Sequence, residues 1–201
     1  MNSIELFLLD LGLSWTMSKM LPYIFMVLIG LIIVLLFKKR LKKLGLILRL
    51  LIKFIILLIP FVVYFAIAPI YQGDFSNNSI EIEKIKDYSE LKGKKLVVLT
   101  IPGCPYCYEA LGRMKKLKER VPNIEIEYLV CHPDEETTTW YKDEAGKDVE
   151  VKLALNPDAM AQLAVGSFPT FVLVEEDQKL RTWSNDNFGV SAMDELELKF
   201  K

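Results

Sequence analysis

Apolar and polar positions follow two different patterns along this chain. Leu21 to Phe37 is a run of 17 uncharged, largely apolar residues, and Phe54 to Tyr71 is a second run of 18. With flanking residues each approaches the ~20 residues a helix needs to cross a bilayer, so spans are expected at about 20–37 and 50–71. The preceding segment, Ile4 to Trp15, reads as a short helix, either at the outer membrane interface or packed as a lid over the first span. Beyond residue 94 the periods shorten. Lys95-Leu96-Val97-Val98-Leu99-Thr100-Ile101 has the β-branched, apolar character of a strand buried on both faces. Cys107, Ala110, Leu111, Met114, Leu117 and Val121 then recur at helical spacing, with Glu109, Arg113, Lys115, Lys116, Lys118 and Glu119 between them. Ile124 to Val130 alternates like a half-buried strand.

Charge sharpens this division. The formal net charge of −1 hides a split: residues 1–71 carry 8 basic and 2 acidic side chains, leaving 17 basic and 24 acidic in 72–201. Between the two apolar runs stand Lys38, Lys39, Arg40, Lys42, Lys43, Arg49 and Lys53, with no acid. A short loop of this kind stays cytoplasmic, which puts both termini on the extracytoplasmic side of a two-pass membrane protein; Arg49 and Lys53 can snorkel to the headgroups. A cleaved signal peptide competes for the first run. Its N-terminal flank, however, has Glu5 and Asp10 against Lys19, the reverse of a positive n-region, and the small-residue Ala66-Ile67-Ala68 is late and followed by Pro69. Residues 72–82, with Gly73, Asp74, Ser76, Asn77, Asn78 and Ser79, read as a linker. The remainder, 83–201, is large enough for one core. Its acidic balance argues against nucleic acid.

The chemistry centres on Thr100-Ile101-Pro102-Gly103-Cys104-Pro105-Tyr106-Cys107. A Cys-x-x-Cys pair after a strand and opening a helix points to redox exchange. Half a zinc site is the alternative, for which Cys131 and His132 would complete a Cys3His set; two buried structural cysteines are the plainest reading. At the helix start, unpaired N–H groups and the macrodipole would draw the Cys104 thiol from about 8.5 towards ~3.5–7.5. Cys104 is then the nucleophile. Cys107, one turn on and facing the core, resolves the mixed disulfide. Pro105 suits the first helical turn, where it forfeits no hydrogen bond.

These residues resemble the thioredoxin superfamily at three places: the strand–Cys-Pro-Tyr-Cys–helix unit, whose Pro105-Tyr106 is similar to that of dithiol glutaredoxins; Gly166-Ser167-Phe168-Pro169-Thr170-Phe171-Val172-Leu173-Val174, similar to the family's cis-proline loop and core strand; and the downstream order of a charged turn Glu175-Glu176-Asp177-Gln178, a strand Lys179–Trp183 and a helix from about Ser191. The resemblance implies an α/β fold, a central mixed sheet flanked by helices, with a cis Pro169 that leaves the Phe168 backbone to bind substrate beside Cys104. Phe168, Pro169, Pro105 and Tyr106 are the implied substrate-binding residues. The chain departs from the family in two respects. Leu96 to Ile101 lacks the buried acid of thioredoxins, and Trp183-Ser184-Asn185-Asp186-Asn187-Phe188-Gly189 replaces the glutathione site of glutaredoxins. A polar, acidic insert between Val130 and Pro157 resembles those of membrane-tethered thioredoxin-like proteins of the bacterial envelope. In this fold Cys131 falls on the active-site edge, so Cys131 and His132 are candidates for a third thiol or ligand, against a small buried apolar residue and a surface histidine; Glu109 is the nearest acid for proton transfer.

The expectation is therefore a thiol–disulfide oxidoreductase in the bacterial inner membrane, its thioredoxin-like domain on the extracytoplasmic side, reducing protein disulfides. Disulfide formation or isomerisation, and copper or zinc handling, are the alternatives. The expected partners are extracytoplasmic protein thiols and disulfides, a membrane electron donor and the lipid bilayer; no cofactor and no metal is expected.

Overall fold

A computed structural model of the protein describes residues 2–42, 45–71, 73–82, 88, 91–133, 135–147, 149–164, 167–175 and 179–201. Gly166, the turn residues Glu176, Asp177 and Gln178, Lys43, and the expected domain start at residue 83 lie outside the described residues. Two units, 1–71 and 72–201, are each packed within themselves.

In the first unit, helix α1 (Ser3–Asp10) precedes two long helices, α2 (Trp15–Leu41) and α3 (Leu46–Ile67). Both long helices are long and apolar enough to cross a membrane. Asn2 and Glu5 form a reciprocal capping box that starts α1. Gly12, at φ 89°, and the Ser14 cap break the chain before α2 begins at Trp15, so Trp15 opens the second helix rather than ending the first. Of the two placements expected for α1, packing on the helices is the one observed: Glu5 is buried beside Lys19 at 3.4 Å, and the Asn2 side-chain amide donates to the Tyr64 hydroxyl at 2.9 Å. Helices α2 and α3 approach closely at Gly30, where a Cβ would stand 2.3 Å from the Leu57 carbonyl oxygen. A small residue is required at such a crossing. Arg49 folds back from α3 to donate to the Leu41 and Lys42 carbonyls at 3.1 and 2.8 Å, satisfying the end of α2. The second apolar helix stops at Ile67, short of the expected residue 71. Ala68 precedes Pro69, which disfavours helical backbone, and it sits at φ −132°, ψ 71°.

The second unit is a six-stranded mixed sheet in the order β1-β6-β5-β2-β3-β4. The strands are β1 (Ile80–Ile82), β2 (Lys95–Thr100), β3 (Ile126–Val130), β4 (Glu150–Leu153), β5 (Thr170–Val174) and β6 (Leu180–Ser184). β2, β3 and β4 run parallel; β5 is antiparallel to β2, and β6 to β5. Helices α4 (Pro105–Arg120), α5 (Glu135–Ala145), α6 (Pro157–Leu163) and α7 (Val190–Phe200) complete it. The amphipathic reading of α4 holds: Cys107, Ala110, Leu111, Met114 and Leu117 are buried.

Two expectations are corrected. Residues 73–82 are a strap of the domain rather than a linker. β1 pairs with β6, Asn77 bridges to Phe188, and the Asn77 side chain accepts from Trp183 Nε1 at 3.0 Å and donates to Glu195 at 2.6 Å. Backbone meets backbone here: a Cβ on Gly73 (φ 96°) would lie 2.1 Å from the Asp186 carbonyl oxygen, and one on Gly189 2.3 Å from that of Gly73. The polar, acidic insert after Val130 supplies α5 and the edge strand β4. β3, finally, is buried at all five positions instead of alternating. Glu127 tolerates this because Lys95 bonds it from β2 and Lys152 lies 3.7 Å away on β4. Breaking one side of such a buried pair costs ~3–5 kcal/mol.

Candidate active site

Parallel strands β2 and β3 end on the same edge of the sheet, and the chain leaves β2 through Ile101-Pro102-Gly103, with Gly103 at φ 69°. Cys104 is the N-cap of α4 in extended conformation, and its Sγ accepts the Cys107 N–H at 3.2 Å. Pro105 occupies the first helical turn. The two sulfurs are bonded to each other. Cys107 is fully buried, while Cys104 retains 8% exposure, so an incoming thiol or disulfide meets Cys104 first.

Across from the pair, the Phe168–Pro169 peptide is cis. The Phe168 carbonyl oxygen lies 3.7 Å from Cys104 Sγ. Thr170, buried at the start of β5, donates to the Ser167 carbonyl and holds this loop. The structure thus gathers Cys104, Cys107, Phe168 and Pro169. Pro105 is exposed and Tyr106 is 60% exposed, on the first turn of the helix that Cys104 caps.

The other candidates are placed differently. Cys131 does reach the active-site edge, its N–H donating to the Thr100 carbonyl at 2.7 Å. Its side chain enters the apolar cluster of Leu99, Leu129, Met160 and Leu163, against which Ile101 and Phe168 pack. His132 and Glu109 are exposed. Among the described residues no three His, Cys, Asp or Glu side chains are grouped to hold a metal ion. Glu127, buried though it is, sits three residues before the end of β3, ~10 Å of strand away from the active-site edge.

The sequence reading missed an aromatic group beside the pair. Tyr108, immediately after Cys107, accepts the Gly103 N–H at 3.3 Å on its hydroxyl. Its ring meets Trp140 edge-on at 4.4 Å and stacks on Tyr141 at 5.3 Å. Tyr141 in turn packs on Tyr128 of β3. Burial pushes the Tyr141 phenol well above the usual range, with neighbouring Tyr108 adding to this and the Thr100 hydroxyl opposing it. Burial likewise raises Tyr128, with Arg113 opposing and Tyr141 adding, and lowers Arg113, which Tyr128, Asp74 and Glu109 offset. Both phenols therefore stay neutral. The signal was the aromatic pair Trp140-Tyr141 inside an otherwise polar stretch.

Comparison with known proteins follows the same residues. A thioredoxin-like domain family matches residues 82–184. Among solved structures, a secreted disulfide oxidoreductase from Mycobacterium tuberculosis is similar at 17% identity and TM-score 0.44, over 56% of this chain and 84% of that one. The thioredoxin domain of a thiol-disulfide oxidoreductase from Bacteroides vulgatus is similar at 18% identity and TM-score 0.45, over 66% and 99%. A thioredoxin-like protein from Bacteroides caccae is similar at 11% identity and TM-score 0.43, over 73% and 62%. No curated protein matches the chain. The family match takes in the whole of β2 to β6, both cysteines of the pair and the cis proline, and on that ground the chain belongs to the thioredoxin-like domain family, with a Cys-x-x-Cys pair of thiol–disulfide oxidoreductase type.

Proposed function

We propose that this protein is a membrane-anchored thiol–disulfide oxidoreductase that reduces protein disulfides on the extracytoplasmic side of a bacterial inner membrane. The observation that carries the reading is the asymmetric pair at the head of α4, with Cys104 reachable, Cys107 buried, and both beside the cis Phe168–Pro169 peptide. In the reduced enzyme the Cys104 thiolate attacks a substrate disulfide, forming a mixed disulfide and releasing one substrate thiolate. Cys107 then loses its proton and attacks Cys104 Sγ, releasing the second substrate thiolate and restoring the bonded pair. Two electrons pass to the substrate, and a membrane electron donor supplies them back.

The reducing direction rests on the surroundings of Cys104. A strong oxidant needs a heavily stabilised thiolate in its reduced form. In the bonded pair Cys104 Sγ accepts one N–H, from Cys107, and lies 3.7 Å from the Phe168 carbonyl oxygen, which in the reduced protein is an acceptor that favours the protonated thiol over the thiolate. Anchoring rests on α2 and α3, and sidedness on the basic residues between them. Phe168, Pro169, Pro105 and Tyr106 form the substrate-binding rim.

The test uses full-length protein in its membrane. Cys107→Ser should accumulate mixed disulfides with extracytoplasmic proteins while Cys104→Ser accumulates none. Protease added from the extracytoplasmic side should remove residues 72–201, and the potential of the pair should lie near the ~ −270 mV of thioredoxin rather than the ~ −120 mV of a strong oxidant. Equal trapping by both variants would overturn the roles, and a protected C-terminus would overturn the sidedness.

A further inference from the structure

Gly103 is the residue that aims the nucleophile. Its φ of 69° is a conformation open to glycine at little cost, and any rotation about that bond swings the Gly103–Cys104 peptide and, with it, the thiol. Ile101 packs against the sheet's apolar cluster, but Gly103 itself is exposed and a Cβ there would meet no atom within 4 Å beyond its chain neighbours. Packing does not hold this residue, which leaves the part to a polar tie.

The Gly103 N–H donates to the Tyr108 hydroxyl at 3.3 Å. Tyr108 is held in turn by Trp140 and Tyr141 of α5, the first edge-on at 4.4 Å, and Tyr141 is fully buried against Tyr128 of the sheet. A path of rigid rings thus connects the peptide before Cys104 to β3. We propose that Tyr108 is a positioning residue for Cys104, with Trp140 of α5 as its support: together they fix the Gly103 turn so that Cys104 Sγ stays over the Cys107 N–H at 3.2 Å and beside the Phe168 carbonyl. The inference deepens the oxidoreductase reading and rests on it for its importance, though not for its measurement.

Without the hydroxyl, the turn samples orientations in which Cys104 Sγ leaves the Cys107 N–H. The thiolate loses part of its stabilisation, and the disulfide form becomes the more favoured of the two. The experiment uses purified full-length protein in detergent micelles, comparing wild type with Tyr108→Phe, Trp140→Ala and Trp140→Phe. The thiolate titration of Cys104 is read from the pH dependence of its alkylation rate, and the equilibrium constant of the pair is read against glutathione. Tyr108→Phe, which keeps the ring and removes the tie, should raise the titration midpoint and shift the equilibrium constant about threefold towards the disulfide, the scale of one modest hydrogen bond. Trp140→Ala should move both in the same direction, and Trp140→Phe should restore the wild-type values. A wild-type midpoint and equilibrium constant in Tyr108→Phe overturns the proposal, as does a loss confined to thermal stability. If Tyr108→Phe does not fold, Trp140→Ala set against Trp140→Phe decides on the same readouts. If the wild-type pair exchanges with no protein disulfide at all, the oxidoreductase reading fails while the alkylation midpoints still report on Tyr108.

Discussion

The two units invert one another's rule of inside and outside. In residues 2–71 the exposed side chains include a large set of Ile, Leu, Val and Phe along α2 and α3, and the buried ones include Glu5, Ser18, Tyr23 and Tyr64. In the second unit only Ile80, Tyr106, Trp140, Leu153, Leu155 and Leu198 are large, apolar and exposed among the described residues, and the interior is Leu, Val, Met and Phe. One chain thus carries two solvation rules. A protein interior excludes whatever its surroundings dissolve best, so the contrast is the one the proposed membrane anchor calls for, and the change falls at residue 71, where the charge balance also reverses.

Substitutions can break this contrast at different scales. The largest effect is expected inside the second unit: Phe171, fully buried and stacked on Phe188 at 3.8 Å, should cost ~3–5 kcal/mol when replaced by alanine, read as a fall in urea midpoint. Next comes the direct comparison. Leu28→Arg in the middle of α2 should cost ~2.5–3.5 kcal/mol in membrane insertion, read as loss of carbonate-resistant membrane protein. The same change at Leu198, 80% exposed on α7, should stay within ~0.5 kcal/mol. Equal effects at the two sites would dissolve the comparison. Gly73→Ala should destabilise the second unit by ~1–3 kcal/mol, because its φ and the Asp186 carbonyl both oppose a side chain; no change would return residues 73–79 to being a linker.

The smallest effect is a pH dependence. Glu195 is held below the usual carboxylate range by the Arg181 guanidinium first, partly opposed by burial, with Asn77 of the strap and the charges of Arg181 and Lys199 adding to the lowering. A carboxylate lowered on folding contributes stability above its unfolded value near ~4.3, and that contribution fades as pH falls through the folded value. Glu195→Gln should therefore be slightly less stable than wild type at pH 7, by under ~1 kcal/mol for so accessible a pair. The two melting curves should converge as acidification carries the pH below the lowered folded value. A gap that persists there would show that the carboxylate is not what ties strap to helix.

What the sequence made legible follows from how one-sided each signal is. β2 and α4 were readable because their periodicity is strong, and the disposition of Cys104 and Cys107 follows from that periodicity alone. The strap was not readable. Gly73, Ser76, Asn77 and Ser79 have the composition of a flexible tether, yet glycine at a backbone contact and asparagine bonding to Trp183 and Glu195 are what close packing of bare chain requires. Helix α5 was hidden for a related reason: its buried positions, Thr138, Tyr141 and Ala145, include no aliphatic residue of any size. Glu127 misled because a carboxylate in an alternating run implies a face open to water, and its partners Lys95 and Lys152 lie on other strands.

Cys131 adds a consequence. Its neighbours Leu99, Leu129, Met160 and Leu163 belong to one side of the sheet, while α4 with Cys107 packs on Tyr128's side, since alternate strand residues face opposite ways. A chain with three cysteines can in principle close three different disulfides, two of them errors. By setting the sheet itself between the Cys131 and Cys107 sulfurs, the fold rules out one of those two errors by construction, with no proofreading step needed against it.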